Sequence, residues 1–494
     1  MNPAGADISP LLREILTRVS AESRAAKLPC YLVGGWLRDQ LLHRRARSLN
    51  VDLAVPQRAM AFAQDVARIL GGAYVPLDDA AGCARVVLTQ TEPKLELDLS
   101  DFRGPSLEED LRRRDFTLNA IAIALEDWIR DPTHPHPFID PLGGQQALAR
   151  RQLLPCFPGT FTDDPVRILR GFRFVVQLGC ALDPAALPLM KDALPGLATV
   201  SGERIRDELM AIFDTDQASV AVRSLEALGA FDMLLPELIP GRGMDQGGYH
   251  HLDVLGHQLE AVAQADRILA SYEEFSAPLR EPLLRYCAEE PVERRSRKAL
   301  IKLAALLHDV GKPARRTVEP DGEIWFLGHE ETGAVLVPAI TERLKLSNRE
   351  ATMVERLVRH HLRPGFLSRE PQLTRRAIYR FFKDLEDDGP GCLLTWWADR
   401  MATRGPQSRL DQVDQQRARL EELFNAYFFT AEEVVKPPRL ITGHQLMDAL
   451  RLPPGPMIGT LLGLIEEAQA EGRVRSAEEA LQLARAHLSQ RRPP

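Results

Sequence analysis

Leu32-Val33-Gly34-Gly35-Trp36-Leu37-Arg38-Asp39 and, shortly after it, Asn50-Val51-Asp52-Leu53-Ala54-Val55 decide how the N-terminal part of this chain folds. The apolar run Tyr31–Val33 predicts a short strand that turns at Gly34-Gly35 into a helix through Leu42. Paired glycines admit positive φ and let a backbone approach a phosphate closely. A helix N-terminus pointing at the same place favours an anion. Arg38 is then placed to contact a triphosphate, with Asp39 orienting it. In the second segment Val51, Leu53 and Val55 alternate with Asn50 and Asp52, the pattern of a half-buried strand. Two carboxylates at i and i+2 of a strand share a face and can grip metal ions, but the first position here is Asn50. Working outward, residues 9–28 read as an amphipathic helix, and Pro56 opens another running to Gly71-Gly72. Arg85–Thr89 and Leu95–Leu99 read as strands. The latter sets Glu96, Asp98 and Ser100 opposite its leucines, which makes Asp98 an additional candidate ligand with Glu96 on its face. The first ~145 residues therefore form a mixed α/β domain.

Beyond Pro141-Leu142-Gly143-Gly144 the hydrophobic period becomes helical and stays so, which makes the whole chain α+β. Loops are expected at Pro240–Gly243 with Gly247-Gly248, at Pro313–Gly322, at Gly389–Gly391 and at Pro437-Pro438, with a frayed end at Gln490–Pro494. A length of 494 residues suggests roughly three to four domains. Hydrophobic residues make up 45% and charged residues 27%, ordinary for a soluble globular protein. No run of about 18 apolar residues is present, so no membrane span is expected. The six cysteines lack Cys-x-x-Cys spacing, which fits reduced thiols in a cytoplasm.

A net charge of −7 does not by itself suggest nucleic acid, but phosphate binding depends on the local field. Arg112-Arg113-Arg114 form one basic cluster. Arg167, Arg170 and Arg173 recur on one helix face, and His43, Arg44, Arg45 and Arg47 form a third group. Seven of the twelve histidines fall between residues 245 and 405. Within that region His308-Asp309, at the end of the apolar run Leu306-Leu307, can reach one metal together.

Several ordered motifs carry a resemblance. Val33–Asp39, Asn50-Val51-Asp52 and Arg113-Arg114-Asp115-Phe116-Thr117-Leu118-Asn119-Ala120 resemble the head of class II tRNA nucleotidyltransferases (CCA-adding enzymes) and bacterial poly(A) polymerases. Asp163-Asp164-Pro165-Val166-Arg167-Ile168-Leu169-Arg170 resembles that family's base-selecting motif, and Ser201–Leu209 its neck. Leu440-Ile441-Thr442-Gly443 with Pro454–Gly459 resembles its tail. His257, His308-Asp309, His329, His361 and Asp399 form a series similar to the HD phosphohydrolase superfamily.

The resemblance implies a polymerase beta-like nucleotidyltransferase head (1–145), then a helical neck and body for nucleotide and tRNA (146–243). An HD metal-binding domain (244–405) and a helical RNA-binding tail (406–494) would follow. It implies that Asp52 and Asp98 are catalytic and hold Mg²⁺ in the head. Gly34, Gly35, Arg38, Asp39, Arg114, Asp115, Asn119 and Arg170 would bind the nucleotide. Asp164 and Arg167, one helical turn apart, would meet the base edge of C or A, with Asp163 positioning them. In the HD domain His257, His308, Asp309 and Asp399 would bind a divalent metal. His329 and His361 would bind a second or position a phosphate, which Lys312 could also bind. The donor set suits Mn²⁺, Ni²⁺, Fe²⁺ or Mg²⁺. The expected reaction joins C or A from CTP or ATP to a tRNA or other RNA 3′ end, with no membrane partner.

Two departures stand out. Asn50 replaces the first carboxylate of the family's Asp-x-Asp pair, and the stretch Phe102–Asp110 is short where relatives carry a longer loop linked to the switch from C to A addition. Full CCA synthesis is thereby in question and CC addition stays open. The alternatives are a poly(A) polymerase, an HD phosphohydrolase with a degenerate head, and a non-catalytic RNA-binding protein.

Overall fold

The computed structural model describes residues 10–44, 49–91, 94–130, 138–292 and 295–490. Two compact units result, residues 1–200 and 201–494. Arg45 and Arg47 of the third basic group lie outside the described residues, as do residue 9 of the first expected helix and residues 491–494 of the expected frayed end.

The first unit is built on six strands, β1 (Tyr31–Val33), β2 (Leu49–Val55), β3 (Ala73–Asp78), β4 (Cys83–Leu88), β5 (Leu95–Asp101) and β6 (Ala122–Ala124). Their order across the sheet is β3-β4-β5-β2-β1-β6. Within this sheet, among the described residues, only β2 and β5 run parallel, in a register that sets Asn50 beside Glu96 and Asp52 beside Asp98. The apolar set of β2 and β5, Val51, Leu53, Val55, Leu97 and Leu99, is fully buried. The helix α1 (Pro10–Ala25) packs on α3 (Ala59–Leu70), which lies against β4 and β5. Period-2 patterning thus leaves the polar set, Asn50, Asp52, Glu96 and Asp98, together on the opposite face.

Three expectations change in the first unit. The helix expected from Pro56 begins at Ala59. Strands β3 and β6 were not expected: β3 is an exposed edge strand interrupted by Pro76, and β6 has three residues, too few to show a period. The Arg112–Arg114 cluster is divided, because Arg114 turns inward to Asp110 while Arg113 reaches the Arg103 carbonyl.

Among its described residues the second unit is helical apart from a small hairpin pairing Thr317–Val318 with Ile324–Trp325, whose first strand falls within the expected loop Pro313–Gly322. Five of its helices, Val254–Ser271, Arg297–Leu307, His329–Arg343, Asn348–His360 and Gly389–Ala402, pack on one another around a polar centre. Gly389–Gly391 is therefore the first turn of a helix and not a loop. Pro390 suits a first turn, and the glycines permit close packing: a Cβ on Gly389 would stand 2.4 Å from the Phe382 ring. Among the described residues no helix is long and apolar enough to cross a membrane.

Candidate active site and metal centre

In the first unit β1 ends at Val33, directly opposite Asp52 on β2. The chain then turns into α2 (Gly34–Leu41) with Gly34 at φ +74°. The Gly35 N–H donates to Asp52 Oδ2 at 3.1 Å. A Cβ on Gly34 would stand 2.6 Å from that same oxygen. Gly34 is thus required by the Asp52 carboxylate itself, before any phosphate is considered, whereas Gly35 contributes its N–H. Burial and the neighbouring Asp98 push the Asp52 carboxyl up to about 6, against the pull of Arg114, the Gly35 N–H and Arg38.

Asp98 is already engaged. Arg85 on β4 grips it with two bonds, Nε to Oδ1 at 2.7 Å and an Nη to Oδ2 at 2.9 Å. The same guanidinium lies 3.0 Å from Glu96, so Glu96 is neutralised rather than standing free to replace a missing carboxylate. Asn50 donates its Nδ2 to Asp98 Oδ2 at 3.1 Å, and its Oδ1 is buried with no hydrogen-bond partner. A buried amide oxygen on the same face of β2 as the Asp52 carboxylate fits a hard divalent cation, which takes oxygen ligands.

A second network ties the sequence motifs together. Arg38 donates to Asp39 at 2.9 Å and to Asn119 Oδ1 at 2.8 Å. Asn119 donates onward to Asp115 at 3.1 Å, and Arg170 reaches Asp115 at 3.4 Å. Burial opposes ionisation of Asp115, but Arg170 and the hydrogen bonds from Asn119 and the Phe116 N–H hold its carboxyl below the usual range. Arg114 makes two bonds to Asp110, which is buried and also accepts from the Arg103 N–H. Arg38 and Arg173 both lie over the Phe174 ring, at 5.0 and 4.5 Å. Arg167 Nε stands 3.6 Å from Asp164 and an Nη donates to the Thr160 carbonyl at 3.2 Å. Asp163 is exposed, and among the described residues its side chain joins neither network. Arg85 and Asp110 were missed by sequence reasoning. The only hint for Arg85 was a charge at the period-2 position of a strand neighbouring the carboxylates.

The second unit brings its expected residues to one point. His257 sits in the first turn of its helix, and His308-Asp309 follow the helix Arg297–Leu307. His329 opens its helix, His361 follows Asn348–His360, and Asp399 lies in Gly389–Ala402. His257, His308, Asp309, His329 and His361 are all buried. Asp309 is the hub: its Oδ2 lies 3.1 Å from His308 Nε2 and 3.6 Å from His257 Nε2, while its Oδ1 lies 3.1 Å from His329 Nε2 and 3.8 Å from His361 Nε2. Asp399 completes the first group at 2.9 Å from His257.

Three of these rings are oriented by the backbone. Nδ1 of His308, His329 and His361 faces the carbonyl three residues earlier, of Ala305, Phe326 and Val358, at 2.7–2.8 Å. With Nδ1 donating, the Nε2 of His329 and His361 turns a lone pair inward, as metal-ligating histidines do, and that of His308 would do so once a bound cation displaces its proton. His308 Nε2 and Asp309 Oδ2 are buried without a hydrogen bond of good geometry, which also fits a cation. Two ligand triads, His257-His308-Asp309 and Asp309-His329-His361, share Asp309. Burial opposes charge on His308, but Asp309 and Asp399 outweigh it and raise the ring to about 10. Burial and the His308 charge lower His361 to about 3.

Lys312 is committed to the cluster, 2.6 Å from Asp309 and 2.7 Å from Gln246. Gly311 is required because a Cβ there would stand 2.2 Å from the His329 carbonyl. His250 was not assigned from sequence. Its ring lies 4.5 Å from that of His257, and burial together with Lys312 lowers it to about 3.

Both units are similar to known proteins. Residues 30–154 match the poly A polymerase head domain, and 179–241 the probable RNA and SrmB-binding site of polymerase A. Residues 254–389 match the HD domain, and 331–484 match domain 2 of tRNA nucleotidyltransferases. The A-adding tRNA nucleotidyltransferase of Deinococcus radiodurans is 37% identical over 91% of this chain and 93% of its own. The CC-adding tRNA nucleotidyltransferase of Thermus thermophilus is 34% identical over 91% of each. The fold resembles the Thermotoga maritima CCA-adding enzyme solved with tRNA, at TM-score 0.59 and 21% identity over 97% of this chain and 96% of that one.

Proposed function

Because the chain belongs to the tRNA nucleotidyltransferase and poly(A) polymerase family, we propose that it builds part of the tRNA CCA end rather than the whole. It is a template-independent RNA nucleotidyltransferase that adds C or A to tRNA 3′ ends from CTP or ATP, with an HD domain appended. The observation that carries the partial product is the connection after β5. Only Phe102–Ser106 separate it from the helix α4 (Leu107–Arg112), whose first turn is capped by Ser106. Five residues leave little room for a loop that rearranges between C and A addition. The Deinococcus and Thermus relatives, named for A and CC addition respectively, support the same reading.

We assign the head to 1–145, neck and body to 146–243, the HD domain to 244–405 and an RNA-binding tail to 406–494. The work is placed in the cytoplasm, in keeping with six unpaired cysteines. Both domains use divalent metals. In the head the ion, which we take as Mg²⁺, would sit against Asp52 on the polar face of β2 and β5, where Asn50 and Asp98 stand beside it. It would stabilise the triphosphate and favour ionisation of the attacking 3′-hydroxyl. The protein supplies positioning. Gly35 fixes the Asp52 carboxylate, and the chain Arg38-Asn119-Asp115-Arg170 sets guanidinium groups for the nucleotide.

Asp164 and Arg167 present an acceptor next to a donor. Cytosine and adenine both offer an amino donor beside a ring-nitrogen acceptor, whereas guanine and uracil reverse the order, so one residue pair accepts the first two and rejects the others. In the HD domain the ligands identified above would hold Mn²⁺, Ni²⁺, Fe²⁺ or Mg²⁺ for phosphoester hydrolysis, with 2′,3′-cyclic phosphates as the first substrates to test.

The deciding experiment offers labelled CTP and ATP to two tRNAs, one lacking CCA and one ending in CC, and sequences the products. Incorporation confined to one tRNA is expected. Complete CCA on the first tRNA would overturn the partial-product reading, a run of A would indicate poly(A) synthesis, and no incorporation with any metal would refute the transferase reading altogether.

A further inference from the structure

Asn50, Asp98 and Arg85 form a unit that the transferase reading alone does not explain. Asn50 and Asp52 share the polar face of β2, and Asp98 is the register partner of Asp52 on β5. Arg85 is the register partner of Asp98 on β4. Both Asp98 oxygens accept from the Arg85 guanidinium, at 2.7 and 2.9 Å, and Oδ2 also accepts from Asn50 Nδ2 at 3.1 Å. A dication bound to Asp98 would face that guanidinium at close range. Asn50, by contrast, has a buried Oδ1 with no partner. Its amide cannot be reversed without setting one acceptor against another, because Oδ1 would then face Asp98 Oδ2. The amide is planar, so holding Nδ2 on Asp98 also holds Oδ1 in place.

We propose that Asn50 Oδ1 is a ligand of the head's divalent cation and that Asp98, charge-balanced by Arg85, is a positioning residue that fixes this amide. The inference rests on the nucleotidyltransferase reading of the head and redefines what its carboxylates do. Asp52 supplies the ligand charge and Asn50 a neutral oxygen. Asp98 acts through Asn50, and Arg85 keeps Asp98 from competing for the ion. The arrangement accounts for an amide at a position where the resemblance leads one to expect a carboxylate. An aspartate at 50 would face Asp98 with no hydrogen to share.

The test is Mn²⁺ titration of the full-length chain without RNA, followed by the electron paramagnetic resonance of the free ion. The Asp52→Ala chain serves as the reference lacking the head site, so that the difference isotherm reports that site alone. Asn50→Leu is expected to weaken head-site affinity by about tenfold or more, whereas Asp98→Asn, whose amide oxygen still accepts from Asn50, stays within about threefold of the parent. A tenfold loss in Asp98→Asn makes Asp98 a ligand and overturns the proposal. So does an unchanged isotherm in Asn50→Leu chains whose circular dichroism matches the parent. If Asn50→Leu does not fold, Asp98→Asn decides alone. CTP incorporation by the parent separates the levels. Incorporation with either adverse isotherm refutes only this inference, whereas a parent isotherm identical to that of Asp52→Ala removes the head metal site and the proposal together.

Discussion

Replacing Gly34 by alanine tests whether the glycine at this position exists for the Asp52 carboxylate. Gly34 sits at φ +74°, and its added Cβ would stand 2.6 Å from Asp52 Oδ2 and 3.0 Å from Cγ. The left-handed backbone costs an L-residue about 1–2 kcal/mol. The clash is relieved most simply by turning Asp52 away, which gives up the charged hydrogen bond from Gly35 at a cost of about 1.5–3 kcal/mol. Together these destabilise the first unit by about 3–4 kcal/mol, or about 10 °C in Tm for a unit of this size. Displacing Asp52 by an ångström is expected to lower kcat about 100-fold. Gly35→Ala is the control, because its Cβ would meet nothing closer than 3.7 Å and its φ is not positive. That variant should melt with the parent and lose, if anything, affinity for the nucleotide that approaches its backbone. Differential scanning fluorimetry and labelled CTP and ATP incorporation measure both. Equal loss of Tm in the two variants, or Gly34→Ala activity within threefold of the parent, would refute the steric account.

Asp52→Asn should be more stable than the parent at pH 8 in chelator. A carboxyl raised to about 6 in the folded chain, against about 3.9 unfolded, subtracts stability wherever it is ionised, by about 1–2 kcal/mol after solvent screening. The difference should vanish below about pH 3, where both states are protonated, and Mg²⁺ at pH 8 should reverse the order; thermal unfolding at the two pH values checks the sign. Asn119→Ala strips a partner from both Arg38 and Asp115, so it should cost about 2–4 kcal/mol in urea unfolding and raise the KM for nucleotide. Asp309→Asn removes the carboxylate shared by both HD triads. Metal-dependent hydrolysis of a 2′,3′-cyclic phosphate should fall about 100-fold or more while CTP incorporation stays within about threefold, and parallel loss of both activities would show that the HD site serves the head.

What could be read from the sequence follows from how each interaction is encoded. Strands β2 and β5 were legible because one face of each is fully buried, so alternation exposed the polar set Asn50, Asp52, Glu96 and Asp98. Strand β3 was not, because an exposed edge imposes no alternation. Gly389–Gly391 misled because glycine marks close packing as readily as it marks a loop. His308-Asp309 were legible as neighbours in the chain, but Gln246 and His250 reach the same cluster through a turn whose path only the fold determines. Arg85 shows the same limit most sharply. Its partner is set by the β4–β5 register, and that register decides whether Asp98 faces a metal or a guanidinium. The motif identified the carboxylates, while the residue that determines what one of them does lies on a neighbouring strand with no motif of its own. A family motif therefore locates a site more reliably than it distributes the work within it, and Asn50 is where this chain makes that difference measurable.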